Sequence, residues 1–361
     1  MTTPMEPRVQ GSYDALLLVS FGGPEQVEDV MPFLENVLRG KNVPRQRMLE
    51  VAEHYYHFGG KSPINQQNRE LIAALEGELK SRGPTLPIYW GNRNWHPMLA
   101  DTLRRMRADG VRRALAFVTS AFGSYSGCRQ YREEIERARE EVGPGAAEIH
   151  KLRTFHNHPG FIEAMAGRVR TALEQIPAGR RERASLVFTA HSIPKAMAAT
   201  SPYVRQLEDA CGLVSKSLGI DWGLAYQSRS GPPSQLWLEP DIGDYIRGLH
   251  ASGGVMDVVV APIGFLSDHM EVLYDLDTET AALCREIGMN LVRASTVGVR
   301  PRFLSTIRDL ILERMEGSER RSLGMLGPGC DVCDPACCPR PVSPAARSAG
   351  QIHTVKSGEP R

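Results

Sequence analysis

Short apolar segments alternate with longer amphipathic segments along almost the whole chain. Buried strands of a parallel sheet are about four to eight residues long and nearly all apolar, whereas the connecting helices carry apolar positions every three to four residues. The alternation therefore predicts βα units and parallel sheets. Four strands are predicted in each half of the chain, at 15–21, 87–91, 115–119 and 148–152 and then at 185–190, 224–227, 257–262 and 290–294.

Helical periodicity is clearest in two segments. Leu71, Leu75 and Leu79 repeat at four-residue intervals and predict a helix over 64–81. A last helix is predicted over 302–315, before a tail rich in Gly, Pro and Ser.

The predicted fold is α/β, with two Rossmann-like domains that each have a four-stranded parallel sheet flanked by helices. The boundaries are predicted at 12–155 and 156–318, with the last helix packing across the two domains. Residues 319–361 are predicted to be a Cys-containing, partly disordered tail. Because such sheets bind ligands beyond the carboxyl ends of their strands, the site is expected in the cleft between the domains.

Charge and hydropathy exclude several classes of partner. Lys+Arg 43 against Asp+Glu 42 leaves a net charge of +1, so nucleic acid is not a predicted partner. No apolar run reaches the roughly 20 residues that a membrane-spanning helix needs, which predicts no stable membrane insertion. Residues 1–12 lack the order of a secretory signal, so a cytoplasmic location is predicted.

The seven cysteines form a scattered group and a cluster. The scattered ones are Cys128, Cys211 and Cys284, and the cluster of Cys330, Cys333, Cys337 and Cys338 lies within nine residues. Close spacing and an odd number in a reducing compartment favour a metal over disulfide bonds.

His191 lies where an apolar strand ends and a turn begins, in the segment 189–194. Its side chain is therefore predicted to face the cleft, where an imidazole can accept a proton or bind a metal through a neutral ring nitrogen. The alternative is that His191 only hydrogen-bonds to the turn.

Acidic residues follow the later strand at 258–263. If a helix begins near Asp268, then Glu271, Asp275 and Glu279 are spaced four residues apart and form one acidic stripe. Like charges in this arrangement repel each other unless a cation is bound, and carboxylate oxygens suit a divalent metal. The alternative is a solvated helix face.

Glycine-bearing turns at 21–24 and 58–63 resemble nucleotide-binding loops only superficially. The first lacks the GxGxxG spacing of a dinucleotide site and the second lacks the GxxxxGK[ST] of a phosphate loop, so neither NAD nor ATP is a predicted ligand.

Six segments resemble the ferrochelatase family, in the same order, over about residues 13–315. They are 18–24 (LVSFGGP), 57–65 (HFGGKSPIN), 91–95 (GNRNW), 189–194 (TAHSIP), 227–232 (QSRSGP) and 262–277 (PIGFLSDHMEVLYDLD). The resemblance implies a chelatase-like fold and an enzyme that inserts Fe(II) into a porphyrin in haem synthesis.

The resemblance also implies roles for individual residues. His191 and Glu271 would be the paired catalytic residues, on opposite sides of the porphyrin, and would meet the Fe(II) substrate. Asp275 and Glu279 would form the family's acidic ridge.

Three further positions resemble porphyrin-binding positions of the family, namely Ser62, Tyr131 and Phe21. Some relatives have at position 21 a tyrosine that can ligate iron. The phenylalanine here leaves that role to His191 and Glu271.

Segments 91–95 and 124–131 are most similar to actinobacterial-type ferrochelatases, which implies coproporphyrin III as substrate and Fe-coproporphyrin (coproheme) as product. Arg39 or Arg45 is expected to position the anionic propionates. The protein is expected to be a monomer that transiently contacts neighbouring haem-pathway enzymes. The alternatives are a protoporphyrin IX ferrochelatase giving protohaem, a non-catalytic porphyrin or haem carrier with a redox-sensing cluster, and a cobalt or nickel chelatase of similar fold.

Some members of the family carry a [2Fe–2S] cluster held by one internal cysteine and a C-terminal C-x2-C-x4-C segment. Cys330, Cys333 and Cys338 reproduce that spacing, and Cys128 lies where the internal ligand would be. Cys337 is an alternate to Cys338. A zinc ion bound by four thiolates and a tail with free thiols are the alternatives.

Overall fold

Two parallel sheets organise the chain, of which the computed structural model describes residues 12–41, 43–231 and 234–341. The strands are β1 (Ala15–Ser20), β2 (Ile88–Asn92), β3 (Arg113–Val118), β4 (Glu148–Lys151), β5 (Ser185–His191), β6 (Trp222–Gln227), β7 (Asp257–Ala261) and β8 (Asn290–Arg293). The first sheet has the order β2-β1-β3-β4 and the second has the equivalent order β6-β5-β7-β8. The predicted fold class is confirmed, and each predicted strand begins and ends within two residues of an observed one.

Helices cover both faces of each sheet. They are α1 (Val30–Leu38), α2 (Arg45–His57), α3 (Ile64–Arg82), α4 (Leu99–Ala108), α5 (Gln130–Val142), α6 (Pro159–Leu173), α7 (Lys195–Ala199), α8 (Tyr203–Leu218), α9 (Ile242–Ser252), α10 (Met270–Val272), α11 (Ala281–Glu286) and α12 (Pro301–Met315). Strand residues alternate between two buried faces. In β1, for example, Leu16 and Leu18 face one apolar cluster while Leu17 and Val19 face another. Burial on both faces explains why the central strands β1, β3, β5 and β7 are mostly apolar, whereas the edge strands β4 and β8 keep polar residues.

The inner faces of the two sheets share one apolar core. Phe117 of β3 stacks on Phe155, with ring centroids 5.4 Å apart, and Phe155 packs against Phe161 of α6 and Phe303 of α12. Helix α12 also contacts α3 of the first half, where Arg308 donates to the carbonyl of Gly83 at 2.7 Å. Since the halves share this core, the boundary at residue 155 remains a prediction.

The segment between the sheets anchors both α12 and the tail. Arg153 and Glu313 form a two-pronged ion pair at 2.6 and 2.8 Å, and both side chains are 1% exposed. The Asn157 amide donates to the carbonyls of Leu323 and Gly327. The described part of the tail is therefore packed onto the fold.

Some predictions concern residues that the structure does not describe. Residues 1–11, residue 42, Pro232 of the segment 227–232, Pro233 and residues 342–361 lie outside the described residues, and the predicted tail disorder falls on the last of these. Within the described ranges, no helix has both the length and the apolar character needed to span a bilayer.

Replacing Glu313 with Gln should destabilise the fold by about 3 kcal/mol, because the Arg153 guanidinium is left buried without a counter-charge. Urea unfolding followed by circular dichroism would measure the loss. The control is Glu50→Gln, which removes the exposed pair with Arg47 and should cost less than about 1 kcal/mol. Equal losses in the two variants would contradict a structural role for the buried pair.

Candidate active site

His191 is the last residue of β5, at the carboxyl edge of the second sheet. Its Nδ1 donates to the carbonyl of Ser192 at 2.5 Å, and the hydroxyl of Tyr203 donates to the His191 carbonyl at 3.0 Å. These bonds fix the ring orientation. With the proton on Nδ1, the neutral ring has its lone pair on Nε2.

Glu271 reaches the same edge from the neighbouring strand β7. The chain leaves β7 through Gly264, whose added Cβ would lie 2.7 Å from the Cα of Ala190, so only glycine allows this approach to β5. Helix α10 then begins at Met270, and the Gln227 amide donates to the Glu271 carbonyl at 3.0 Å. The chain is thereby held with the Glu271 side chain facing His191.

The two side chains meet, with 3.7 Å between His191 Nε2 and Glu271 Oε1. The prediction that they lie on opposite sides of a porphyrin is therefore wrong, because a flat ring between them needs roughly 7 Å. Both come from neighbouring strands of one sheet rather than from the two halves of the molecule. They face the cleft from one side.

Each of these groups changes the ionisation of the other. Burial is the largest single influence and disfavours the charged form of both, but their mutual attraction and their other polar neighbours together outweigh it, so the pKa of His191 is raised and the pKa of Glu271 is lowered to about 2. The side chains are still 33% and 44% exposed. Glu271 thus makes the His191 imidazole a stronger base than usual and would stabilise its protonated form.

The acidic stripe is present, but on a wider helix than predicted. The helix begins at Met270 rather than near Asp268, and it changes at Leu273 into a π-helix that continues to Thr280. A π-helix has more residues per turn than an α-helix, so residues four apart remain on one side. Glu279 is exposed while Asp275 and Glu271 are half-buried, so the carboxylates lead from solvent toward His191.

Ser228 was not identified as a site residue from the sequence, yet it holds Asp275. Its hydroxyl donates to Asp275 Oδ2 at 2.5 Å from a backbone with φ of 62°, a conformation that costs a non-glycine residue about 1 kcal/mol or more. Burial raises the pKa of Asp275 to about 7, the Ser228 hydroxyl opposes this, and Glu271 and Glu279 add to the rise. Because its surroundings disfavour the ionised form of Asp275, a nearby cation would stabilise this carboxylate strongly.

The predicted porphyrin-binding residues gather at the carboxyl edge of the first sheet. Ser62 is buried against the turn after β1, and Phe21 follows β1 and is half-buried. Tyr131 is buried in α5 beneath the guanidinium of Arg93, which lies 4.6 Å from its ring and 5.6 Å from that of Phe21. Arg93 lies in the segment 91–95 but was not predicted as a site residue.

Two contacts join this group to the second sheet across the cleft. The ring of His54 in α2 stacks on Tyr274 of the π-helix, with centroids 3.7 Å apart and planes at 9°. The Gln67 side chain accepts from the Asp268 backbone amide at 2.8 Å. These contacts place the carboxyl edges of the two sheets next to each other. Of the two predicted propionate ligands, Arg39 donates to Asn36 at the end of α1 and Arg45 is exposed at the start of α2.

A second group of candidate residues surrounds a cavity of about 180 Å³ away from this cleft. Its lining includes Cys128, Cys333, Cys337 and Cys338, whereas Cys330 is exposed and does not line it. A hydrogen bond from Cys333, aided by Lys151, lowers the pKa of Cys128 to about 5 despite burial. Four thiols line the cavity, and thiolates are the ligands that metal clusters take. Within the described ranges, however, no three His, Cys, Asp or Glu side chains are placed close enough to hold a single metal ion.

The fold and the family are shown by comparison with known proteins. SirB from Bacillus subtilis with Fe3+ superimposes with a TM-score of 0.54 at 14% identity, over 85% of this chain and 98% of that one, which shows the fold alone. A ferrochelatase from Rhodopirellula baltica is 59% identical over 90% of this chain and 93% of its own length. A coproporphyrin III ferrochelatase from Nocardia farcinica is 54% identical over 92% and 98%, and one from Streptomyces coelicolor is 50% identical over 93% and 96%. The family model described as Ferrochelatase matches residues 13–315, and the chain belongs to the ferrochelatase family.

Proposed function

We propose that this protein inserts Fe(II) into coproporphyrin III to give Fe-coproporphyrin (coproheme) in haem biosynthesis. The observation that carries the proposal is the His191–Glu271 pair, at 3.7 Å, in a chain about 50–54% identical to relatives named coproporphyrin III ferrochelatase. A binding protein without chemistry would have no need of a strengthened base at the wall of its cleft.

Metal insertion must remove two protons from the pyrrole nitrogens and replace the water on the metal with ring nitrogens. In this proposal His191 accepts the two pyrrole protons one after the other at Nε2 and releases each to water, since Nδ1 is already committed to Ser192 and the side chain is 33% exposed. Glu271 stabilises the imidazolium that forms. Both act on the same face of the ring.

Fe(II) reaches that face along the acidic residues of the π-helix. Glu279 is exposed and meets the hydrated ion first, and Asp275 holds it next to Glu271. Hard carboxylate oxygens bind such an ion without stripping it completely of water. The apolar wall at Phe21 holds the macrocycle, and Arg39 and Arg45 bind its propionates.

The Rhodopirellula baltica relative, at 59% identity, is named simply ferrochelatase. Protoporphyrin IX is therefore the second candidate substrate, with protohaem as its product. We further propose that the protein is a cytoplasmic monomer, whose contacts with neighbouring haem-pathway enzymes are transient.

Anaerobic assays with Fe(II) should show a kcat/KM for coproporphyrin III at least about tenfold higher than for protoporphyrin IX, because coproporphyrin has two additional propionates for charge-assisted hydrogen bonds. Absorbance changes on insertion measure both rates in parallel. A preference for protoporphyrin IX would identify that porphyrin as the substrate instead. Turnover with neither porphyrin would favour a non-catalytic porphyrin or haem carrier.

Replacing His191 with Ala should lower kcat by about 100-fold or more, the usual contribution of a positioned general base. Porphyrin affinity, followed by fluorescence quenching, should stay within about threefold because the apolar wall is unchanged. The control is His250→Ala, which changes an exposed histidine at the end of α9. Turnover of the His191 variant equal to that of the control would refute the assignment.

We also propose that the thiol cavity holds a [2Fe–2S] cluster through Cys128, Cys330, Cys333 and Cys338, with Cys337 as the alternate. Arg129, Arg132, Lys151 and Arg314 line the same cavity and suit an anionic tetrathiolate centre. Such a cluster supplies a one-electron centre.

Purified protein should be brown, with visible absorbance from the cluster and about two iron atoms and two sulfides per chain. Cys128→Ser should lose this absorbance and iron, whereas Cys211→Ser, which changes a buried cysteine in α8, should keep both. Serine variants of Cys337 and Cys338 would show which of the two is a ligand, and Cys330→Ser tests the exposed cysteine. Zinc without sulfide, or a full cluster in Cys128→Ser, would contradict the proposal.

A further inference from the structure

A polar cavity of about 200 Å³ lies between the two halves of the molecule, apart from the His191 pair and from the thiols. Its walls come from α3 in the first half, from α6, and from the segments after β7 and β8 in the second. Hydroxyl groups of Thr119, Ser267 and Thr296 contribute to the lining. A cavity of this kind contains a ligand or ordered water.

Two hydrogen-bond donors on opposite walls have no acceptor among the described residues. Asn68 of α3 is 3% exposed, and its Nδ2 is buried without a partner. Across the cavity, Arg168 of α6 has a buried Nε that is also without a partner, while its Nη2 donates to the Val297 carbonyl at 3.3 Å. Unmatched buried donors are costly, and a shared acceptor between them removes the cost.

The charge of Arg168 is also uncompensated. No ion pair joins its guanidinium to a carboxylate in the described part of the chain, and the acidic residue on the wall, Asp268, is already paired with Arg293 at 2.8 Å. Glu70 lies at the rim, where it is exposed and accepts from Gln66.

Two charged groups near Arg168 act on its ionisation in opposite directions. Burial, followed by the like charge of Arg300, lowers the pKa of Arg168, and the carboxylate of Asp268 opposes this only in part. Arg300 has a buried Nε without a partner as well. A bound anion would stabilise a half-buried guanidinium that lies beside another cation.

The backbone leaves room for the guanidinium. Gly298 has a φ of 50°, and an added Cβ would lie 3.2 Å from Arg168 Nη2. A larger residue would therefore crowd the arginine against the cavity wall.

We propose that this cavity binds a small oxyanion, a phosphate or a carboxylate, between the guanidinium of Arg168 and the side-chain amide of Asn68. The planar guanidinium matches the oxygen pairs of both anions, and the hydroxyls of Ser267 and Thr296 supply further donors, whereas that of Thr119 already donates to Ser20. Because α3 and α6 lie on different sides of the cavity, the bound anion braces the two halves beside the Gln67–Asp268 contact. The proposal does not depend on which porphyrin the enzyme uses.

The test is a thermal-unfolding titration of the full-length protein with inorganic phosphate, and separately with malonate, at ionic strength held constant with sodium chloride. A saturable rise in Tm of about 2 °C or more is expected for the anion that binds. Comparing the two titrations identifies whether the site prefers phosphate or a carboxylate.

Two variants and one control locate the site. Arg168→Gln and Asn68→Leu should each weaken the anion affinity at least about tenfold, and Arg170→Gln, an exposed arginine on the same helix, should leave it unchanged. For a variant whose Tm differs from that of the wild type before any anion is added, isothermal titration calorimetry gives the anion affinity directly. A response no larger than that to chloride, or one equal in Arg168→Gln, Asn68→Leu and Arg170→Gln, would overturn the proposal and leave the cavity to water.

Discussion

The parallel pairing of β5 with β7 is the constraint on which the site depends. It places Ser185 opposite Val258 and Phe188 opposite Ala261, so both strands end at the same edge of the sheet. Gly264 lets the chain leave β7 against β5 without a clash. The short segment after Gly264 brings Glu271 back to His191. The π-helix, which carries Asp275 and Glu279, begins two residues later at Leu273.

Most of the fold could be predicted from the sequence because both faces of both sheets are buried, which makes the central strands short and mostly apolar. His191 could be predicted for the same reason, since it ends such a run. The side of the cleft that Glu271 occupies could not, because it depends on a turn whose length and bend only the three-dimensional structure shows. The π-helix could not be distinguished either, since an acidic residue at every fourth position suits both helix types. The positive φ of Ser228 could not be predicted, because no feature of the sequence indicates it.

The two halves act as one body in this structure. They share an apolar core, and Arg153 and Asn157 join α12 and the tail to the segment between the sheets. The same tail carries the clustered cysteines to Cys128, which lies just after β3, and Arg129 donates to the carbonyl of Cys337. The cleft and the thiol cavity are thus two separate sites in one packed fold. Cys330 is exposed, in contrast to the cysteines that line the cavity.

A crystal structure with coproporphyrin III bound tests the central claim most directly. The account predicts His191 and Glu271 on the same face of the ring, with His191 Nε2 within hydrogen-bonding reach of the pyrrole nitrogens and the other face against the wall that contains Phe21. A ring lying between His191 and Glu271, or one bound away from both, would contradict it.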